Sequence, residues 1–422
     1  MTGRLATLTG DFLAQSPLRH GPFRVFYAGA IAAALGYTMQ TTVAAWLMAT
    51  LTPSAVMVAL VQTASTAPAL LFGLFAGAMA DIVDRRKVIV ATQVVLVAAS
   101  ALLGVAAIAG WVGPAMLLAM TFVVGAGFAF YQPAQQASVN DLVARAEMPQ
   151  AVSLKAVGFN VSRAIGPAIA GALTALVGTA SALFASAACF AAMIVAMRRV
   201  KTRVPILPGV PERLFSGVQI GLRYARHSPA LRAFILRTFS FTACASALWA
   251  LLPVIARDQL GLGASGYGFL FAMLGVGAVI GALSIPRQLQ VRSLNRVVLS
   301  ATILWALANV LIAASGHVAF AAAGTFCSGA AWVTVHASLS TGTQSSVPAW
   351  VRARAVGMNL VAVQACLAIG SPAWGLLAAA TDTRVALAAS SALLLMLVLL
   401  IRGVRVRMGS EADVTPGSTL PE

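Results

Sequence analysis

The sequence predicts an all-α membrane protein of twelve transmembrane helices, arranged as two six-helix halves related by pseudo-twofold duplication. Three observations carry this. First, the 422 residues are 60% hydrophobic and only 9% charged, with a mean hydropathy of +0.90, whereas a soluble domain carries roughly a quarter charged residues. Second, the apolar residues gather in twelve runs, most of them near the ~20 residues that cross a hydrocarbon layer about 30 Å thick. Third, an internal repeat appears at an offset of 204 residues: Gly73 and Gly77 fall on Gly277 and Gly281, Gly125 on Gly329, and Gly166 and Gly171 on Gly370 and Gly375. Alanine matches are cheap in such a chain, but five glycines at one offset are not. Duplicated halves of this kind are a transporter architecture.

The runs follow in order. Residues 1–25 contain Arg4, Arg19, His20 and no long apolar core, so they read as a cytoplasmic segment and not as a cleaved leader. The first half, residues 26–197, holds runs from Phe26 to Thr50, Ala55 to Ala80, Val88 to Ala109, Ala115 to Ala137, Ala151 to Val177 and Ala180 to Met197. Turn residues separate them, such as Leu51-Thr52-Pro53-Ser54 and Gly110-Trp111-Val112-Gly113-Pro114. Residues 198–230 form a polar central loop. Within it Leu214, Val218 and Leu222 recur at helical spacing among arginines, the pattern of an amphipathic helix on the membrane surface. The second half, residues 231–401, repeats the design, and a polar tail at 402–422 has the composition of a disordered segment.

Basic residues set the expected topology. With both termini in the cytoplasm, cytoplasmic segments and their helix ends hold 24 of the 28 Lys and Arg, and the outer loops hold only Arg257 and Arg384. The opposite orientation inverts this ratio, so the positive-inside rule decides. The net charge of +17 then faces anionic lipid at the inner leaflet, and nucleic acid is not an expected partner. Cys189, Cys244, Cys327 and Cys366 are isolated inside apolar runs, so neither disulfides nor metal ligation is expected. No GxSxG, HExxH or phosphate-binding GxxxxGK[ST] pattern occurs, which argues against an enzyme or a self-contained ATP-driven pump.

Two stretches stand out. In Gly73–Lys87, an apolar run with Gly73 and Gly77 on one face ends in Asp81, Asp84, Arg85, Arg86 and Lys87. The glycine spacing lets a neighbouring helix approach closely. This stretch resembles the signature loop between helices 2 and 3 of the major facilitator superfamily. Gly77, Asp81, Arg85 and Arg86 match the pattern, Ile82 stands where the family usually has Arg, and Asp84 where it usually has Gly. The fifth run contains Gly166-Pro167 with Gly171, which resembles the antiporter motif of facilitator exporters. Pro167 removes a backbone donor and kinks the helix, so the group serves either as a hinge and seal or as plain helix packing. The loops Asn140-Asp141-Leu142-Val143 and Pro348–Arg354 resemble cytoplasmic segments of the exporter branch called transmembrane secretion effectors, which includes the enterobactin exporter. The resemblance runs from Phe23 to about Ile401. It implies the major facilitator fold, alternating access, no cofactor beyond a proton gradient as energy source, and a monomer in a bacterial inner membrane.

Candidate site residues follow from intramembrane polarity. Arg163 lies about twelve residues from the inner end of its run near Ala151, roughly 18 Å deep at 1.5 Å per residue. Charge at that depth is a functional hypothesis by default, and a substrate anion or polar groups such as Gln40, Gln62, Tyr131 and Asn160 are its candidate neighbours. Asp81 or Asp141 would reach it only if the fifth run starts lower. Arg237 sits close enough to the inner end of its run to snorkel. His336 titrates in the useful range and is either a proton carrier or a hydrogen-bonded packing residue. Gln40 with Trp46 suits either a cavity for an amphipathic, aromatic ligand or a polar helix contact with an interfacial Trp. No Asp or Glu falls in the middle of a run, so the usual carboxylate of proton-coupled exporters is missing. The expectation is export of a small amphipathic compound by proton antiport; the alternative is a proton-independent facilitator for a lipid or nutrient.

Overall fold

The computed structural model describes residues 16–200 and 226–401. The predicted amphipathic helix of the central loop and the polar tail lie outside the described residues, apart from Arg226. Twelve long helices are described. They are α1 (Gly21–Leu51), α2 (Ala55–Ile82), α3 (Arg85–Ala109), α4 (Pro114–Asn140), α5 (Met148–Leu176), α6 (Thr179–Arg199), α7 (Pro229–Val254), α8 (Ala264–Val291), α9 (Leu294–Ala314), α10 (Val318–Ser345), α11 (Ala349–Ala380) and α12 (Thr383–Leu400). No strand occurs among the described residues. A lipid interior forbids unsatisfied backbone groups, and helices satisfy theirs internally.

Local chemistry sets the helix ends. Pro22 occupies the first turn of α1, and Pro114 opens α4, positions where a missing N–H costs nothing. Asp84 caps α3 by accepting from the Arg86 N–H at 2.9 Å. Gly110 closes α3 at φ 71°, and its N–H meets the Ala106 and Ala107 carbonyls; left-handed backbone at a helix end favours glycine. The carboxylate of Asp382 caps α12 from the Thr383 N–H at 2.7 Å.

Ten of the twelve helices are long and apolar enough to cross a membrane by length and composition alone. α1 and α5 are the two that fall short of that measure. Their shortfall is chemical, because α1 carries Tyr37, Thr38, Gln40, Thr41 and Thr42, and α5 carries Lys155, Asn160, Ser162 and Arg163.

The chain divides into two compact units. One holds the described residues before 210 together with Pro253–Gly275, and the other holds those of Val210–Leu252 and Val276–Glu422 that are described. In the first unit, two apolar clusters form the core, one around Phe26, Ile89, Leu96, Phe128 and Phe190, the other around Met39, Met48, Leu103, Leu117 and Leu183. The second unit centres on aromatic rings: Phe241 packs edge-on to Trp305 at 5.4 Å, and Trp332 lies 5.8 Å from Trp305.

The internal repeat has a structural counterpart. Within the first unit, the Tyr27 hydroxyl of α1 donates to the Leu154 carbonyl of α5, 127 positions on. Within the second, the Cys366 thiol of α11 contacts the Phe239 carbonyl of α7, also 127 positions away. A second pair repeats at 131 positions, Ser162 hydroxyl to Ile31 carbonyl and Trp374 indole N–H to Ala243 carbonyl. Each unit therefore pairs its first and fifth helices in parallel at the same register.

Candidate functional site

The loop from α2 to α3 is held from below. The Arg85 guanidinium donates to the Asp141 carboxylate at 2.7 Å, to the Ala137 carbonyl at 3.3 Å and to the Ala80 carbonyl at 3.4 Å. One side chain thus ties the ends of α2 and α4. Arg85 and Asp141 are each only about a fifth exposed at their side chains, so this pair is less screened than a surface one. Asp141 is engaged here. Asp84 adopts φ −52°, which needs no glycine, and its carboxylate becomes a helix cap. That accounts physically for an Asp where the facilitator pattern has Gly. Arg86 contributes its backbone N–H to this cap. Asp81 lies in the last turn of α2, and its side chain is outside the described residues.

The close helix approach expected at Gly73 and Gly77 is not found: a Cβ built at either meets nothing within 4 Å. The repeat copies behave oppositely. At Gly281 a Cβ would sit 2.6 Å from the Ala330 carbonyl oxygen and 2.8 Å from its Cα, and at Gly277 it would collide with the Phe326 carbonyl. Glycine spacing states only that approach is possible; whether a neighbour is there depends on tertiary packing.

At Gly166-Pro167 and Gly171 the packing is tight. A side chain at Gly166 would collide with the Thr38 hydroxyl of α1. A Cβ at Gly171 would lie 2.7 Å from the Ala264 carbonyl oxygen, and one at Gly268 would lie 2.5 Å from the Pro167 carbonyl oxygen. Gly275 would similarly meet the Ala164 backbone. The C-terminal half of α5 therefore carries a seam of small residues against the first part of α8, within one unit. Rings pack beside this seam, where Trp46 stacks on Tyr267 at 5.7 Å and 19°. Arg257 donates to the Thr52 carbonyl at 3.1 Å beside it.

α1 and α5 form a parallel zipper of polar bonds. The Thr38 hydroxyl donates to the Ser162 carbonyl at 3.0 Å, the Ser162 hydroxyl donates to the Ile31 carbonyl at 3.3 Å, and Tyr27 donates to the Leu154 carbonyl at 2.7 Å. Below these, Arg19 and His20 clasp Glu147, with His20 Nε2 3.0 Å from Glu147 Oε2 and Arg19 bonded to Oε1. Burial pushes the Glu147 carboxyl up, but the His20 hydrogen bond and the charges of Arg19 and His20 outweigh it and hold the group below its ordinary value.

Arg163 is half-buried on α5 and interacts electrostatically with Tyr37 of α1. Tyr37 stacks on Phe128 of α4 at 3.8 Å and 7°, and its hydroxyl reaches the Ser65 carbonyl of α2 at 3.5 Å. Asn160 donates to the Ala156 carbonyl at 2.9 Å. The other candidates sit elsewhere. Gln40 is 1% exposed, with both side-chain polar atoms buried and unpartnered in the protein. Tyr131 lies in the core cluster at 3% exposure, while Gln132 and Gln136 are exposed. Gln62 is half-buried, and its carbonyl accepts from Ser65 and Thr66. His336 belongs to the second unit, packed against Trp332 at 4.2 Å and Phe241 at 5.5 Å. Arg237 is 6% exposed.

Sequence reasoning missed two groups. Lys155, eight residues before Arg163, donates to the Gln136 side chain of α4 at 3.1 Å. The clasp of Glu147 was also missed. A signal existed for Lys155, a cation inside a predicted run; none existed for the clasp, whose partners lie 127 and 128 positions apart.

Comparison with known proteins supplies the frame. The family model described as "Transmembrane secretion effector" matches residues 13–422. The multidrug efflux pump Tap of Mycolicibacterium fortuitum is 24% identical over 305 residues, covering 70% of this chain and 74% of that protein. The staphyloferrin A transporter of Staphylococcus aureus is 24% identical over 246 residues, covering 58% and 62%. Among solved structures, the nucleoside transporter NupG superposes with a TM-score of 0.72 at 12% identity, covering 91% of this chain and 99% of that one. A bacterial homologue of the human lysosomal transporter Spinster gives 0.72 at 13%, covering 91% and 96%. These structures share the fold. The chain is a multi-pass membrane protein, not an enzyme, and it belongs to the transmembrane secretion effector family of major facilitator transporters.

Proposed function

We propose that this protein exports a small amphipathic compound, such as a drug, siderophore or metabolite, across a bacterial cytoplasmic membrane by proton antiport with alternating access. The observation that carries the reading is the family match over nearly the whole chain together with relatives named as an efflux pump and a siderophore transporter. Both termini lie in the cytoplasm, as the distribution of basic residues favours, and the monomer is the working unit. No cofactor is needed beyond the proton gradient. The Gly166, Pro167, Gly171 seam is the outer hinge and seal, and the loop of Gly73, Gly77, Asp81, Asp84, Arg85 and Arg86 is the inner gate. Arg163, Asn160, Gln40, Gln62 and Trp46 serve the substrate path. His336, held among aromatic rings, is the candidate coupling residue.

A proton-independent facilitator for a lipid or nutrient is the second reading. It is favoured by one observation, that no Asp or Glu falls in the middle of an apolar run. Purified protein in proteoliposomes with a pH-sensitive dye inside separates the two. Proton movement triggered by substrate supports antiport. Substrate movement with no proton signal overturns it and leaves the facilitator.

A further inference from the structure

The first unit gathers four cations at one end of the seam between α3 and α6. A Cβ at Gly104 of α3 would lie 2.9 Å from the Phe184 ring of α6, which fixes the facing sides of the two helices. Arg86 stands 18 residues before Gly104, five whole turns at ~3.6 residues per turn, so it returns to the side that faces α6. Arg198 and Arg199 stand 14 and 15 residues after Phe184, about four turns on, so they return to the side that faces α3. Val88, Ile89, Met197 and Val200 share one core cluster, so these positions meet at the same end of the unit. Along the axes Arg86 lies about 27 Å from the Gly104–Phe184 contact and Arg199 about 22 Å, a difference that one arginine side chain spans. Arg85, about 100° round α3 from Arg86, bonds Asp141 instead. Lys87 lies about 100° the other way and is exposed, as are Arg198 and Arg199.

The electrostatics of this end call for an anion. No acid bonds the side chain of any of these four cations among the described residues. Asp84 is committed to the cap of α3. The acids nearest in sequence, Asp81, Asp84 and Glu212, are outnumbered, and residues 201–225 add Lys201, Arg203, Arg213 and Arg223. The C-terminus of α6 supplies roughly half a negative charge, which offsets one arginine at most. Like charges side by side repel, and an anion between them turns repulsion into attraction. A guanidinium fork suits a phosphate, and an ammonium is a point charge for the same group. The surface below selects the source of that phosphate. Two turns from Lys87, Val94 and Val95 of α3 are 51% and 44% exposed, and one turn from Arg199, Val195 of α6 is 48% exposed. A free anion gains nothing from this apolar strip, whereas a phospholipid lays an acyl chain along it. A zwitterionic headgroup brings an ammonium that the cluster repels. We infer that α3 and α6 hold an anionic phospholipid, its phosphate bridged by Arg86 and Arg199 with Lys87 and Arg198 at the flanks, and one acyl chain along the valines.

Full-length protein in detergent micelles is titrated with dioleoylphosphatidylglycerol, dioleoylphosphatidylcholine and inorganic phosphate. Native mass spectrometry reads the affinity of the first bound lipid, and thermal unfolding reads protection by all three. Phosphatidylglycerol should bind at least about tenfold tighter than phosphatidylcholine, and inorganic phosphate should not protect. Lys87→Gln and Arg199→Gln should each weaken phosphatidylglycerol by about fivefold, and Arg199→Lys by less. Arg145→Gln, an equal loss of charge at an exposed residue of the α4–α5 connection, should leave the affinity unchanged. Unfolding of each variant without lipid reads a folding defect apart from lost binding. Equal affinity for the two lipids overturns the anion preference. Wild-type affinity in both Lys87→Gln and Arg199→Gln, or an equal loss in Arg145→Gln, overturns the assignment to this seam. Protection by inorganic phosphate equal to that by phosphatidylglycerol overturns the lipid.

Discussion

The five glycine pairs at one offset suggest equal roles in the two halves, and the structure assigns unequal ones, which makes a sharp experiment. At Gly281 an added methyl would sit 2.6 Å from the Ala330 carbonyl oxygen and 2.8 Å from its Cα. Both obstacles are backbone, so no side chain can swing aside and α8 must separate from α10. Overpacking of this kind costs typically 1–3 kcal/mol. At Gly77 and Gly73 nothing stands within 4 Å, so the methyl costs no packing. There the replacement of glycine by alanine inside a helix gains roughly 0.5–1 kcal/mol of backbone entropy. Gly281→Ala and Gly77→Ala should therefore differ by about 1.5–4 kcal/mol with opposite signs. Equilibrium unfolding in mixed micelles reads both. Destabilisation of Gly77→Ala to the level of Gly281→Ala would refute the packing argument. Transport by the same proteins then tests the proposed gate. A bulkier Gly77→Leu protein that folds with wild-type stability but transports poorly would place a close approach at Gly77 in some other state of the cycle.

The contacts of Arg85 and Glu147 give two further predictions. Arg85→Gln removes a partly buried ion pair with Asp141 and two carbonyl contacts, and should destabilise the first unit by about 1–2 kcal/mol, read by unfolding at low and high salt; no change at either salt would mean the clamp contributes nothing. Glu147 is held below its ordinary value of 4.5. Its charged form is the one the clasp favours, so the clasp's contribution is fully present above 4.5 and is lost as pH falls through the lower, folded value. Wild type and Glu147→Gln should thus differ in stability at neutral pH by a constant amount and converge only in more acidic solution. A difference that disappears near neutrality would contradict the assignment.

The membrane class, the twelve helices and the duplication were legible in the sequence because each follows from composition or from one-dimensional spacing. Length of apolar run fixes what crosses a bilayer, and charge position along the chain orients it. α1 and α5 remained readable as spans although they are the least apolar, since their flanks and the repeat register carried them. The loop pattern at Gly77, Asp81, Arg85 and Arg86 and the Gly166-Pro167 pair were visible as strings of residue types.

What each string does depended on partners that sequence spacing cannot supply. Gly166 faces a hydroxyl of α1, Gly171 faces a carbonyl of α8, and Gly77 faces open space, although all three are glycines in helices. Tyr131 turned into the core while its neighbour Gln132 turned out. Arg85 found Asp141 at a separation of 56 positions, and Glu147 found His20 at 127. Composition fixes the medium in which a chain must fold, because the transfer free energy of each side chain is local to it. Pairing across helices is decided by rotation and register of whole helices against one another, quantities to which every packed residue contributes and which no single motif encodes.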